Sequence, residues 1–245
     1  MNILLENANV KSYKGFEHRE FYFNGHLANV IMPKNDNGRK KWIWRAEFLG
    51  AYDSVDVAML EKGYYLVNYS ISNMYGCPAA VELMKKFRDF LVDELGFEQK
   101  TILIGVSRGG LYSVNFAIKY PSLVNALYLD APVLDISSWP GNYQRQTKEF
   151  LECVDVYGFD EKSFAEYCNQ LPNRFKQLLD AKMPIAIIAG DSDDVVPHTE
   201  NCQRLVDYYK ENGGEYVYIL KEGCGHHPHS MDNPDQVVEF LLKHS

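Results

Sequence analysis

The sequence predicts an α/β protein: a mostly parallel sheet wound on both faces, with a small helical cap inserted late in the chain. Three observations carry that prediction. Short apolar runs alternate with amphipathic runs along most of the chain. The stretch Lys100 to Tyr120 reads as strand, sharp turn and helix. Residues 136–182 then interrupt the alternation, before it resumes to the end of the chain.

The elements follow in order. Phe21 to Met32 reads as two strands joined at Asn24-Gly25, a dipeptide that supplies the positive φ values of a type I′ hairpin. A polar loop spans residues 34–41, and Trp42-Ile43-Trp44 begins a central strand whose exit is Arg45-Ala46-Glu47. A helix begins at Asp53 or Ser54 and stops before Gly63, and Tyr64 to Tyr69 is a strand. Pro78 suits a first helical position. Val81, Met84, Phe87, Leu91 and Leu95 keep one apolar face until Gly96.

Thr101 to Ile104 is the strand before the sharp turn, and Ala126 to Leu129 is the next strand. Residues 136–182 hold Trp139-Pro140-Gly141-Asn142 and short helical runs, with Asp160 and Asn173 as caps. That length exceeds a simple connection, so the segment is expected to cover the sheet edge. Pro184 to Ala189 is a buried strand, His198 to Asn212 a helix, Tyr216 to Leu220 the last strand, and Asn233-Pro234 starts a final helix. There is no internal repeat and no low-complexity linker.

Composition narrows the function. A chain of 245 residues suffices for one domain with a substantial core, and 46% hydrophobic with 24% charged residues is ordinary for a globular protein. A net charge of -8 argues against nucleic acid or an anionic membrane as partner. No run of about 18 apolar residues predicts a membrane span, and the N-terminal stretch lacks the apolar core of a secretory signal. The five cysteines are scattered with no C-x-x-C, which points to reduced thiols in a cytoplasmic protein. The sequence leaves a homo-oligomer open.

Gly105-Val106-Ser107-Arg108-Gly109 fits the G-x-S-x-G nucleophile elbow. A nucleophile on so tight a turn is expected at positive φ, beside a helix N-terminus that favours developing negative charge. Serine needs a base, and the base an orienting acid. Asp191-Ser192-Asp193-Asp194-Val195-Val196-Pro197 follows one strand, and Gly223-Cys224-Gly225-His226-His227-Pro228-His229 follows the last. The spacing G-x-x-D-x-x-V-P selects Asp193 as the acid, leaving Asp191 and Asp194 to cap or face solvent. His226, directly after Gly225, is the expected base, with His227 its rival and His229 on the surface or lining the pocket.

The His-His-x-His run is not read as a metal site, because no cysteine or second histidine pair completes a tetrahedral set. One oxyanion donor should be the N–H of Arg108, and the other the N–H of Ala46 or Glu47. Arg45, Glu47 and Arg108 are expected to pair with one another or to meet substrate. Trp44, Tyr75 and Trp139 are candidate substrate-binding residues by chain position, and Met74 beside Tyr75 is another pocket-lining candidate.

These loops resemble the α/β-hydrolases across nearly the whole chain. Three segments, WIWRAEFLGAYDSVD, SRGGL with LDAPVLDISSWPG, and GCGHHPHS, are similar to small bacterial carbohydrate esterases that remove acetyl groups from plant polysaccharide fragments, xylan-type acetylesterases among them. The resemblance implies a Ser107, Asp193 and His226 triad, an oxyanion region at residues 44–47, no cofactor, and an acetylated oligosaccharide as substrate. A general carboxylesterase, a feruloyl esterase or a small peptidase would use the same chemistry, and a non-catalytic binding protein could keep the same fold.

Overall fold

The computed structural model describes residues 6–36, 38–226 and 232–245. Two tight turns shape the amino-terminal part. Lys14-Gly15 (φ 48° and 84°) joins β1 (Asn9–Tyr13) to β2 (Phe16–Phe23), and Asn24-Gly25 (φ 46° and 80°) joins β2 to β3 (His26–Met32). Positive φ at both central residues matches the twist of the flanking strands. β1 escapes the sequence reading because its residues are almost all exposed and show no apolar alternation.

Alternation then sets in: β4 (Trp42–Arg45), α1 (Ser54–Glu61), β5 (Tyr65–Tyr69), α2 (Pro78–Leu95), β6 (Thr101–Val106), α3 (Gly109–Lys119) and β7 (Val124–Asp130). Three helices follow: α4 (Lys148–Tyr157), α5 (Glu161–Asn169) and α6 (Leu171–Asp180). The chain closes with β8 (Ile185–Gly190), α7 (Cys202–Glu211), β9 (Tyr216–Lys221) and α8 (Asp235–Lys243).

Among the described residues nine strands form one sheet in the order β1-β2-β3-β5-β4-β6-β7-β8-β9. The last six in that order are parallel, and β3 pairs antiparallel with β5. The chain steps outward from β4 to β5, then crosses back to place β6 on the other side of β4. That reversal splays the carboxyl ends of β4 and β6, and open α/β sheets hold ligands in such a crevice.

The central strands are buried on both faces, so they read as continuous apolar runs. Their side chains alternate between two cores. Trp42, Trp44, Leu103, Leu127 and Ile187 pack under the α2, α3, α6 and α7 side. Ile43, Leu66, Ile104, Tyr128 and Ile188 pack with Val55 and Met59 of α1 and Val237 and Leu241 of α8.

The predicted cap divides in two. Leu171, Phe175 and Leu178 of α6 lie in the larger core, so α6 is the ordinary crossover helix between β7 and β8. Asn173 lies inside α6 rather than capping a helix. What rises over the sheet is the loop after β7 with α4 and α5, joined in a small core of Val133, Ile136, Phe150, Cys153 and Phe164. Asp160 caps α5 in a reciprocal box with Ser163.

Candidate active site

Ser107 stands on the turn between β6 and α3 at φ 49°, a conformation disfavoured for serine that persists only where the surroundings impose it. They do so from both sides. Ser107 N–H donates to Asp130 O at 2.8 Å, and Ser107 O accepts from Gly110 N at 2.9 Å and Val133 N at 2.9 Å. The glycines are steric requirements. A Cβ on Gly105 would meet Gly109 O at 2.9 Å, and one on Gly110 would meet Pro132 Cβ at 2.7 Å.

Ser107 Oγ lies 3.0 Å from His226 Nε2, and His226 Nδ1 lies 2.7 Å from Asp193 Oδ2. Asp193 Oδ1 accepts from the N–H groups of Val195 (3.0 Å) and Val196 (2.8 Å). Burial alone would push this carboxyl up. The hydrogen bonds from His226 and the two backbone N–H groups outweigh burial and hold it below the usual aspartate value. An ionised Asp193 accepts from Nδ1–H, which leaves Nε2 as the acceptor facing Ser107 Oγ. Such an array can take the hydroxyl proton as oxygen attacks a carbonyl.

The acid and histidine loops are built against each other. Ser192 N donates to Cys224 O at 2.9 Å, and Asp191 Oδ1 accepts from Gly223 N at 2.8 Å. A Cβ on Gly190 would sit 2.1 Å from Cys224 O. Asp191 therefore ties the loops together, and Asp194 is exposed. His227 and His229 lie outside the described residues. Among the described residues no group of three His, Cys, Asp or Glu side chains is placed to hold a metal ion, and no helix is long and apolar enough to cross a membrane.

The loop after β4 changes several expectations. Ala46 N–H donates to Ile104 O at 3.0 Å, so sheet pairing consumes it and it is no free oxyanion donor. Glu47 N–H and Arg108 N–H have no hydrogen-bond acceptor among the described residues. They belong to adjoining segments, since a Cβ on Gly109 would lie 3.6 Å from Glu47 N. Their side chains are clasped as well: Arg108 Nε and Nη2 donate to Glu47 Oε2 (2.5 Å) and Oε1 (3.0 Å). Arg108 Nη1 also reaches Asn73 Oδ1 at 3.0 Å.

Trp44 and Arg45 are buried inside the fold rather than exposed beside Ser107. Trp44 is buried, stacked on Trp42 and edge-on to Phe87 and Phe116. Arg45 is wholly buried on the opposite side of the strand. Its guanidinium donates to Asp56, to Ala51 O and, through Nε, to Glu47 O at 3.2 Å, so it fastens the loop from below. A buried chain, His18···Asn29 (2.8 Å), Asn29 to Asn68 (3.1 Å) and Asn68 to Arg45 O (3.0 Å), steadies the same strand end from the hairpin side.

Tyr75 is also fully buried, beneath the surface rather than on it. Its ring stacks on Trp139 (centroids 6.0 Å), its hydroxyl donates to Glu152 at 3.0 Å, and its carbonyl accepts from Tyr157 at 2.9 Å. It links the elbow to the insertion. Trp139 is half-buried on that cluster. Met74 donates its N–H to the Tyr112 hydroxyl at 2.9 Å and packs against the larger core. Phe48, directly after Glu47, is 44% exposed.

A family model described as the alpha/beta hydrolase fold matches residues 75–155. Among curated proteins no sequence matches. Several solved structures share the fold. Est1E from Butyrivibrio proteoclasticus is 16% identical with a TM-score of 0.63, and the match covers 93% of this chain and 98% of that one. An S-formylglutathione hydrolase from Agrobacterium tumefaciens is 13% identical with a TM-score of 0.64, covering 96% and 95%. Porphyromonas gingivalis dipeptidyl peptidase 4 is 13% identical with a TM-score of 0.68; 96% of this chain matches, but it spans only 36% of the peptidase. The chain has the α/β-hydrolase fold.

Proposed function

We propose that the chain is a serine hydrolase of carboxylic esters, acting on O-acetyl groups of plant-derived oligosaccharides. The observation that carries the reading is the Ser107–His226–Asp193 array, at 3.0 and 2.7 Å, beside the uncommitted N–H groups of Arg108 and Glu47. His226 Nε2 takes the Ser107 proton as Oγ bonds to the ester carbonyl carbon. The oxyanion receives hydrogen bonds from the two N–H groups at the start of α3 and the exit of β4. His226 then protonates the departing sugar oxygen, and the C–O bond breaks to leave acyl-Ser107. Water, deprotonated by the same nitrogen, bonds to the acyl carbon; the bond to Ser107 Oγ breaks, and His226 returns the proton to Ser107 as the acid leaves. Asp193 holds the imidazole and stabilises its cation. Side chains, backbone and water supply every step.

The acetyl-carbohydrate specificity rests on the resemblance of the β4-exit, elbow and histidine-loop segments to carbohydrate esterases. Its test is acetate release from a panel of acetylated xylan, mannan, pectin and sialate fragments, run beside p-nitrophenyl esters of increasing chain length and an aminoacyl anilide. Release from one of the plant saccharides with preference for acetyl is the expected result. Preference for long or aromatic acyl groups, or cleavage of the anilide alone, would overturn it.

A further inference from the structure

Phe48 is an unusual residue for its place. Its φ is 56°, a genuine outlier for a bulky aromatic side chain, and 44% of the residue is exposed. Neither feature serves the core, since Phe48 belongs to none of the buried clusters. The strained backbone is nevertheless held from both sides by one buried group. Arg45 donates to Glu47 O before Phe48 and to Ala51 O after it, and Ala51 N–H donates to Phe48 O at 3.0 Å. Strain that the surroundings enforce in this way clusters at functional sites.

The ring's position is equally constrained. It adjoins Glu47, whose N–H is a proposed oxyanion donor. It also lies 5.6 Å from the Arg108 guanidinium, on the residue that follows Ser107. Arg108 is held by Glu47 and Asn73 and flanked by Tyr75 at 5.1 Å, so the floor beside Phe48 is rigid. Val195, 46% exposed, stands on the acid loop two residues from Asp193. Exposed apolar side chains thus occur on the β4-exit loop and on the acid loop.

We propose that Phe48 is a substrate-binding residue whose ring forms an apolar platform for the pyranose ring that carries the ester. The inference rests on the carbohydrate-ester reading above. The C–H face of a pyranose can lie flat on an aromatic ring, removing apolar surface of both from water. The neighbouring Glu47 N–H ties that contact to the oxyanion position, so a sugar seated on Phe48 presents its ester to Ser107 rather than merely adhering to the surface.

The test compares kcat/KM for methyl 2-O-acetyl-β-xylopyranoside with that for ethyl acetate in wild type, Phe48→Tyr, Phe48→Leu and Phe48→Gly. Glycine tolerates the positive φ, so that variant keeps the loop path, and fluorophosphonate labelling reports an intact Ser107. The xyloside-to-ethyl-acetate ratio should hold in the tyrosine variant, fall in the leucine variant, and fall about tenfold in the glycine variant, the loss of one apolar ring contact. Equal losses on both esters would mean that the ring only shields the Glu47–Arg108 pair, and no loss on either ester would mean no contact; either overturns the inference alone. Wild-type hydrolysis of ethyl acetate with no acetate released from the xyloside or from any acetylated saccharide of the panel would instead overturn the carbohydrate reading beneath it.

Discussion

Replacing Arg45 with methionine isolates the support of the β4-exit loop. Arg45 and Asp56 are both fully buried, and the guanidinium donates to Asp56, Ala51 O and Glu47 O. Removing one partner of a buried ion pair costs about 3–5 kcal/mol, a large share of the roughly 5–15 kcal/mol that holds a domain folded. Methionine is long and flexible enough to fill most of the space, so the cavity contribution is small. Burial already pushes the Asp56 carboxyl up against the pull of Arg45. Without Arg45 it takes up a proton, which favours the lower end of the range.

At about 2–4 °C per kcal/mol for a chain of this size, the melting temperature should fall by roughly 6–20 °C. The Glu47 peptide also loses its anchor. Full removal of one oxyanion donor costs about 10²–10³ in kcat, and a donor displaced rather than deleted should cost about tenfold or more, with KM less affected. Arg45→Met with Asp56→Leu removes both charges and should regain most of the stability but not kcat, which separates the loop effect from the folding effect. Thermal unfolding and p-nitrophenyl acetate kinetics read both quantities. A single variant melting within about 2 °C of wild type with unchanged kcat would refute the reasoning.

Two further perturbations follow. In Gly190→Ala the new methyl would sit 2.1 Å from Cys224 O; the acid and histidine loops must part, costing about 1–3 kcal/mol and most of kcat. Near-normal turnover would show that the loops do not position His226 through this contact. Burial pushes the Asp130 carboxyl up to about 7, against the opposing pulls of Arg45, Tyr128 and Lys221. The unfolded chain releases this proton near pH 4, so folding stability should decline as pH rises from about 4 to about 7 and level off above that. Asp130→Asn should therefore unfold at higher urea than wild type at pH 8, with the difference shrinking towards pH 5. A pH-independent difference would contradict a neutral buried carboxyl.

What the sequence discloses is local, and what it conceals is pairing. Ser107 is legible because strand, turn and helix lie within one short stretch and the glycines have steric reasons to be there. Asp193 and His226 are legible because each follows a strand end in the order the fold requires. Trp44 and Arg45 are not: both faces of β4 are covered, so four residues cannot say which side chain enters which core. Ala46 fails as a donor because its N–H is taken by Ile104 O, a contact set by register with a strand far along the chain. The α6 helix looks the same on paper whether it caps the sheet or packs against it, and only its docking on the larger core decides. The His18–Asn29–Asn68 chain joins three strands and carries no sequence signal.

The central claim is that Ser107 becomes a nucleophile through His226 and Asp193. Intact mass spectrometry after a fluorophosphonate probe tests it most directly, run on wild type, Ser107→Ala and His226→Ala beside p-nitrophenyl acetate turnover. The account predicts one adduct per wild-type chain on the peptide bearing Ser107, none in Ser107→Ala, greatly slowed labelling in His226→Ala, and a loss of kcat of about 10⁴ or more in both variants. Undiminished turnover in Ser107→Ala, or an adduct on any other residue, would contradict it.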